Sequence, residues 1–363
     1  MQIKVLFVTT NNIHDINGGA KASLRNLECL RDIYGKENVE TCYILQNVGH
    51  KTILKRSKSF IDRVITKKIF ASFSKLQIQP DAYDLLFIDS SLFGYQIKKL
   101  KRSQYKGKIV SFFHNCEADY KAIFYKDGKT IGNRLYLNAI RKNEQLTIRH
   151  ADACVFINER DMRRVSEIYG IQPKMGTVIT MTMKDRYREY PLLKTDGNIP
   201  IYTILGSYFK PNVDGIKWFV TNVLPYVNIK LRVVGKNMHL LRNDIDCSGI
   251  EIFSNVPDLD LYMIESDYML YPIFEGSGMK IKTCEALMWG KNIVGTSEAF
   301  SGYDITDYSK IGACCETAEE FIVAISTLRM PRFNGYSRGI YQENYSYSKS
   351  VDAYRQLLNS IGI

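Results

Sequence analysis

No stretch of this sequence approaches the roughly 18 consecutive apolar residues needed to span a bilayer. The opening MQIKVLFV reads as a strand with charged flanks; its apolar part is too short for a secretory leader, and no cleavage-site pattern follows. The eight cysteines, at positions 29, 42, 116, 154, 247, 284, 314 and 315, lack metal-ligand spacing, and the adjacent last pair is poorly placed for a shared site. Reduced thiols of a cytoplasmic protein are the plain expectation. Short-period repeats and low-complexity segments are absent, as is a GxGxxG dinucleotide fingerprint. What is there is ordinary for a soluble globular chain, 45% hydrophobic and 24% charged. Its 363 residues exceed what one core usually organises, so two domains are expected.

An excess of positive charge is missing from one half. Residues 191–363 hold 16 Lys+Arg against 19 Asp+Glu, whereas residues 1–190 hold 33 against 19. The excess gathers at 50–75 and 97–108. Such asymmetry suits an anionic partner for one domain, either nucleic acid or an anionic membrane surface; a solvated, lysine-rich face accounts for it equally. Within 51–75, Ile53, Leu54, Phe60, Ile61, Val64, Ile65, Ile69 and Phe70 alternate with cations. That pattern fits an amphipathic helix, lying on a membrane or packed on its own domain.

Apolar runs at 3–9, 84–89, 108–114 and 151–158 read as strands buried on both faces of a parallel sheet, with helical patterns between them. A charged, aperiodic stretch at 184–198 reads as a linker. The alternation then restarts with strands at 201–206, 230–235, 250–253, 268–273 and 292–296, and the chain ends in a helix. The fold class is therefore α/β, two doubly wound halves that bind ligands at strand carboxyl ends.

The most informative stretch is FEGSGMKIKTCEALMWG (274–290), a strand-to-helix connection. Gly276 and Gly278 let backbone approach a ligand, and a helix expected to start near Gly278 offers unpaired amides that suit a phosphate. Lys280 and Lys282 add full charge. Ile281, Cys284, Leu287 and Met288 form a buried stripe, with Glu285 on its border. A carboxylate there is costly unless partnered, and it can accept bonds from the vicinal hydroxyls of a ribose. A helix capped by Ser277 with solvated lysines explains the glycines and the cap, but not the acid inside CEALMW.

Residues 275–304, EGSGMKIKTCEALMWGKNIVGTSEAFSGYD, resemble the donor-site signature of the GT-B fold, family-4-like retaining glycosyltransferases (glycosyl transferases group 1). PNVDGIKWFVTNVLPYV, KLRVVGK and NVPDLDLYMIESDYMLYP are similar to what that family carries upstream, so the resemblance covers most of 201–304. It extends to the N-terminal half through NGGAKASL, FFHNCEADY and ADACVFINERD. The resemblance implies two Rossmann-like domains facing a cleft: 1–185 for the acceptor, 198–345 for a nucleotide-sugar donor, and 346–363 as a helix crossing back to the first.

In that family Glu285 would hold the ribose. The family places two glutamates eight positions apart; here Glu275 and Glu285 are ten apart and Ser277 stands at the eight-apart position, so either Glu275 or Ser277 meets the donor sugar. GSYFKPNVDG supplies Ser207 and Lys210 but no arginine, which leaves the diphosphate charge to Lys282, with Lys280 second. The implied donor set is Gly18, Gly19, Ser207, Lys210, Gly276, Ser277, Gly278, Met279, Lys280, Lys282 and Glu285. His114, Glu275 and Lys282 are the candidate catalytic groups, and Asn115 and Glu117 line the acceptor side. Read from the residues alone, His114 at a strand end is as readily structural, and Glu117 as readily a solvated acid.

Two DxD strings, Asp244/Asp246 and Asp258/Asp260, read as loop and helix-cap acids, so no metal and no cofactor is expected. The expected activity is transfer of a sugar to a glycan or lipid-linked acceptor with retention, in bacterial surface polysaccharide or glycoconjugate synthesis. It would take place in the cytoplasm or at the cytoplasmic membrane face, with no nucleic-acid partner. Two alternatives are a nucleotide-sugar 2-epimerase on the same architecture and a catalytically silent partner subunit.

Overall fold

The computed structural model describes residues 2–15, 18–44, 78–124, 130–189, 199–276 and 278–363. They form two compact units, Met1–Thr180 with Ser348–Ile363, and Met181–Tyr347.

The first unit runs β1 (Val5–Thr9), α1 (Gly18–Tyr34), β2 (Val39–Tyr43), β3 (Leu85–Asp89), α2 (Gly94–Arg102), β4 (Lys108–Phe113), α3 (Glu117–Phe124), α4 (Ile131–His150), β5 (Ala153–Phe156), α5 (Glu159–Tyr169) and β6 (Gly176–Val178). Its sheet is parallel, in the order β2-β1-β3-β4-β5-β6. β1, β3 and β5 are buried along their whole length, which is why they read as unbroken apolar runs. The strand order reverses between β1 and β3, and their carboxyl ends pair as Thr9 with Asp89. In an open α/β sheet this switch point is where ligands bind.

The C-terminal helix (Tyr347–Ser360) packs on this unit. Its Tyr354 hydroxyl donates to Asn26 Oδ1 (2.7 Å), and its Ser350 Oγ accepts from the buried Arg25 guanidinium (2.6 Å). Arg25 also donates to the Thr180 carbonyl (2.7 Å) and lies over the Phe112 and Tyr354 rings.

The second unit runs β7 (Ile201–Leu205), α6 (Lys210–Asn222), β8 (Lys230–Gly235), β9 (Ile250–Ser254), α7 (Asp260–Glu265), β10 (Tyr268–Tyr271), α8 (Ile281–Met288), β11 (Asn292–Gly295), β12 (Gly312–Cys314) and α9 (Ala318–Thr327). Its parallel sheet has the order β12-β11-β10-β7-β8-β9, so its switch point lies between β7 and β10. α8 is the next helix after the carboxyl end of β10.

Two boundaries differ from expectation. The expected linker at 184–198 begins inside the second unit, because its first residues are tied down there. Arg338 grips Asp185, and Arg186 pairs with Asp260 (3.1 Å). Residues 190–198 lie outside the described residues. α8 starts at Ile281 rather than near Gly278, because Gly278 has φ +66° and Lys280 is extended.

Candidate active site

In the second unit, the connection from the β10 end to α8 runs from 272 to 280. Ser277 lies outside the described residues, so the expected cap by its hydroxyl is not placed; the N-cap position is Lys280. The cap is instead supplied from afar. The Tyr303 hydroxyl donates to the Lys280 carbonyl (2.9 Å) and accepts from the Cys284 amide (3.0 Å). The hydroxyl thus bridges the N-cap carbonyl and the amide one turn into α8.

The two lysines differ in kind. Lys280 Nζ pairs with Glu298 (2.6 Å) and donates to the Gly278 carbonyl (3.1 Å). A Cβ on Gly276 would lie 3.1 Å from that Nζ and 3.2 Å from Glu298 Oε1, so glycine there lets the loop close over the pair. Lys282 makes no ion pair among the described residues. Its Nζ donates to Asn212 Oδ1 (2.9 Å) and sits 5.3 Å from the centre of the Tyr271 ring. Asn212 in turn donates to the Ser207 carbonyl (2.9 Å), so α6 ties Lys282 to the β7 end of the switch point. Burial pushes the Lys282 amine down to about 7, the nearby Lys280 charge pushes the same way, and Glu285 opposes both. A desolvated amine at a helix start, short of counter-charge, is prepared to accept an anion.

Glu285 is 5% exposed on α8, and Arg186 lies 3.6 Å from Oε1. Arg186 is itself held by both oxygens of Asp260, which also accepts from Trp289 Nε1 (3.2 Å). The acid inside the apolar helix is thus partnered, as its burial demands. Its Arg186 contact is longer than a direct hydrogen bond.

The remaining donor-side candidates are placed as follows. Glu275 is exposed in the loop. Met279 is buried, its sulfur accepting from the Met181 amide (3.3 Å). Lys210 pairs with Asp214 (2.6 Å) on the exposed first turn of α6. The acid pairs are engaged elsewhere. Asp244 binds Tyr208 (2.6 Å) and Lys217 (3.0 Å), Asp246 binds Ser248, and Asp258 accepts the Asp260 amide (2.8 Å). Among the described residues no three His, Cys, Asp or Glu side chains come together as a metal site.

In the first unit, His114 follows β4 directly, and its Nε2 lies 3.2 Å from Asp89 Oδ1. Gly18 and Gly19 open α1, and the Gly19 carbonyl accepts from Ser23 Oγ (3.0 Å), which also bonds Asp89. Asn115 Nδ2 reaches Glu117 Oε1 (3.4 Å). Beneath them, buried Glu144 accepts from the Glu117 and Ala118 amides (3.0 and 3.2 Å), Tyr169 (2.7 Å) and Ser91 (3.1 Å). Burial pushes its carboxyl up to about 7 against those bonds.

The sequence reading missed Asn212, Arg186, Glu298, Tyr303, Asp89 and Glu144. For Asp89 a signal exists, an acid closing the otherwise apolar strand LLFID. The others meet the site through tertiary contacts with no local pattern.

Residues 199–329 match the family model described as glycosyl transferases group 1. HepE of Anabaena, solved with UDP and glucose, is similar over 99% of this chain and 100% of its own, at 12% identity and TM-score 0.66. A glycosyltransferase of Rickettsia africae matches over 99% and 98% at 14% identity and TM-score 0.62. A UDP-forming α,α-trehalose-phosphate synthase of Burkholderia xenovorans matches over the full length of both chains at 10% identity and TM-score 0.61. The fold is GT-B. At such identities the likeness speaks for the GT-B fold alone, and a search of curated proteins returned no match. The matched family region includes α8, both lysines, Glu285, Asn212 and Glu298. In GT-B terms the second unit is the half that carries the family-model match.

Proposed function

We propose that this GT-B protein is a glycosyltransferase that takes a sugar from a nucleoside-diphosphate sugar, with UDP as the leaving group, to a glycan or lipid-linked acceptor. The observation that carries the reading is Lys282, an amine held by Asn212 at the start of α8 without an ion-pair partner among the described residues, three residues before Glu285. Amine and helix amides suit the diphosphate, and Glu285 suits the ribose. The UDP in HepE supports the choice of nucleotide.

The bond from the anomeric carbon to the phosphate oxygen breaks, the acceptor oxygen bonds that carbon, and the acceptor proton passes to the departing phosphate oxygen. Among the described residues no carboxylate is placed as a nucleophile, so a front-face reaction with retention fits the groups present. Lys282 and the amides would stabilise the charge that develops on UDP, without a metal. Glu275 or Ser277 would meet the donor sugar, with Gly276, Gly278, Met279 and Lys280 around the phosphates, Ser207 and Lys210 at the β7 end, and Gly18 and Gly19 as further donor contacts. His114 would bond a donor hydroxyl, and Asn115 and Glu117 would line the acceptor side. Residues 1–185 would serve the acceptor and 198–345 the donor. The role would be in bacterial surface polysaccharide or glycoconjugate synthesis, at the cytoplasmic membrane face; no described helix is long and apolar enough to cross a membrane.

The test is release of UDP from a panel of UDP-sugars, with and without acceptor glycans. Acceptor-dependent release is expected. Conversion of the sugar without release of UDP would mark an epimerase, and silence with every donor a non-catalytic subunit.

A further inference from the structure

Asp89 closes β3 at the switch point of the first unit and is wholly buried. Its Oδ2 accepts from Thr9 Oγ1 (2.8 Å) and from Ser23 Oγ; its Oδ1 accepts from Asn26 Nδ2 (2.9 Å) and faces His114 Nε2 at 3.2 Å. Three of these four partners are neutral. Among the described residues His114 is the only contact of Asp89 that can carry positive charge. A buried carboxylate without counter-charge is costly, and neutral donors fix its geometry without cancelling its charge.

Asp89 also joins three features that lie far apart in the sequence. Through Ser23 it reaches the glycine turn, since Ser23 Oγ bonds the Gly19 carbonyl. Through Asn26 it reaches Tyr354 of the C-terminal helix. Through Nε2 it reaches His114.

We propose that Asp89 is the positioning residue of the first unit's strand-end site, holding the His114 ring by Nε2 and supplying its counter-charge. This rests on the glycosyltransferase reading only for what the cation then does. In an imidazolium both ring nitrogens donate, so Nε2 serves Asp89 and Nδ1 can serve an oxygen of a bound sugar or phosphate. Two neighbours oppose the charge: Asn11 Nδ2, itself a donor, lies 3.5 Å from Nε2, and the Arg25 cation sits over the Phe112 ring that stands edge-on at 4.8 Å. Glu117, at the start of α3, adds a second negative charge nearby. Burial disfavours the charged ring, but Asp89 and Glu117 together outweigh it, so His114 holds its proton above the ordinary histidine range.

The experiment is NMR titration of the full chain labelled with ¹³C-histidine, with His114 assigned by its loss in His114→Gln. The wild-type midpoint is expected above the ordinary value of about 6.5, and in Asp89→Asn it should fall by about one unit or more. A wild-type midpoint at or below 6.5 (about the free value) overturns the proposal, even if Asp89→Asn fails to fold. In turnover, Asp89→Asn should move the alkaline limb of kcat to lower pH. A uniform loss of kcat with an unmoved profile would leave Asp89 as scaffold alone and refute the positioning role. If the wild type transfers no sugar, the glycosyltransferase reading fails while the titration still decides what Asp89 does.

Discussion

If Lys282 meets the diphosphate as proposed, UDP binding is a proton-linked event. Burial first, and the Lys280 charge second, bring its amine down to about 7 in the free protein. A diphosphate beside it supplies the missing counter-charge, so the bound form is protonated. Apparent affinity then follows the protonated fraction of the free lysine, about one-half at pH 7 and about one-hundredth at pH 9. UDP should bind about fiftyfold more weakly at pH 9 than at pH 7, close to 2.3 kcal/mol. Above neutrality the terminal phosphate of UDP is already ionised, so the ligand contributes little to the slope. Calorimetry at pH 8.5 in two buffers of different ionisation enthalpy should report close to one proton taken up per UDP. The sign for stability is the reverse of the usual lysine case. The amine sits below its unfolded value, so the unfolded chain binds more protons between about pH 7 and 10.4, and stability rises with pH across that window. Lys282→Met should therefore raise the Tm of the ligand-free protein at pH 7 while weakening UDP binding. Affinity flat from pH 7 to 9 with no proton uptake would refute this account of Lys282.

Other expectations concern separate parts of the molecule. Lys291, also pushed down to about 7 by burial, donates to the Ile264 and Ser266 carbonyls (2.9 and 3.0 Å). Lys291→Met should destabilise by about 1–3 kcal/mol in denaturant melts, because it leaves those acceptors unpaired, with UDP affinity unchanged. Sugar transfer should persist in EDTA; complete loss restored by Mg²⁺ or Mn²⁺ would establish a metal requirement. The basic stretch 50–75 lies outside the described residues, and its proposed role at an anionic leaflet is tested by vesicle sedimentation. Changing Lys55, Arg56, Lys58, Lys67 and Lys68 to Gln should remove salt-sensitive binding, at about 1 kcal/mol for each charge near the surface. Equal sedimentation with neutral and anionic vesicles would reduce that surface to solubility alone.

The sheets were legible because parallel strands buried on both faces become continuous apolar runs, as in β1, β3 and β10. Helix starts were less so. The glycines of 276–278 mark a turn without saying which residue after it becomes helical, and the positive φ of Gly278 delays α8 by three residues. The site was half legible. Lys280, Lys282 and Glu285 share one local segment and stand out against its apolar stripe. What distinguishes them does not: Asn212 reaches Lys282 across 70 positions, and Glu298 neutralises Lys280 from 18 positions away. Asp89 passed as the polar end of a buried strand, because its partners on β1, α1 and the loop after β4 converge only in the folded unit.

The claim that Lys282 and Glu285 hold a nucleoside diphosphate is tested most directly by calorimetric titration of UDP at pH 7 into wild type, Lys282→Met and Glu285→Gln, each verified as folded. The wild type should bind. Lys282→Met should lose at least about tenfold, and Glu285→Gln about 1–3 kcal/mol, the scale of a hydrogen bond to a charged group. Equal UDP affinity in all three proteins, or no binding by the wild type, would contradict the account.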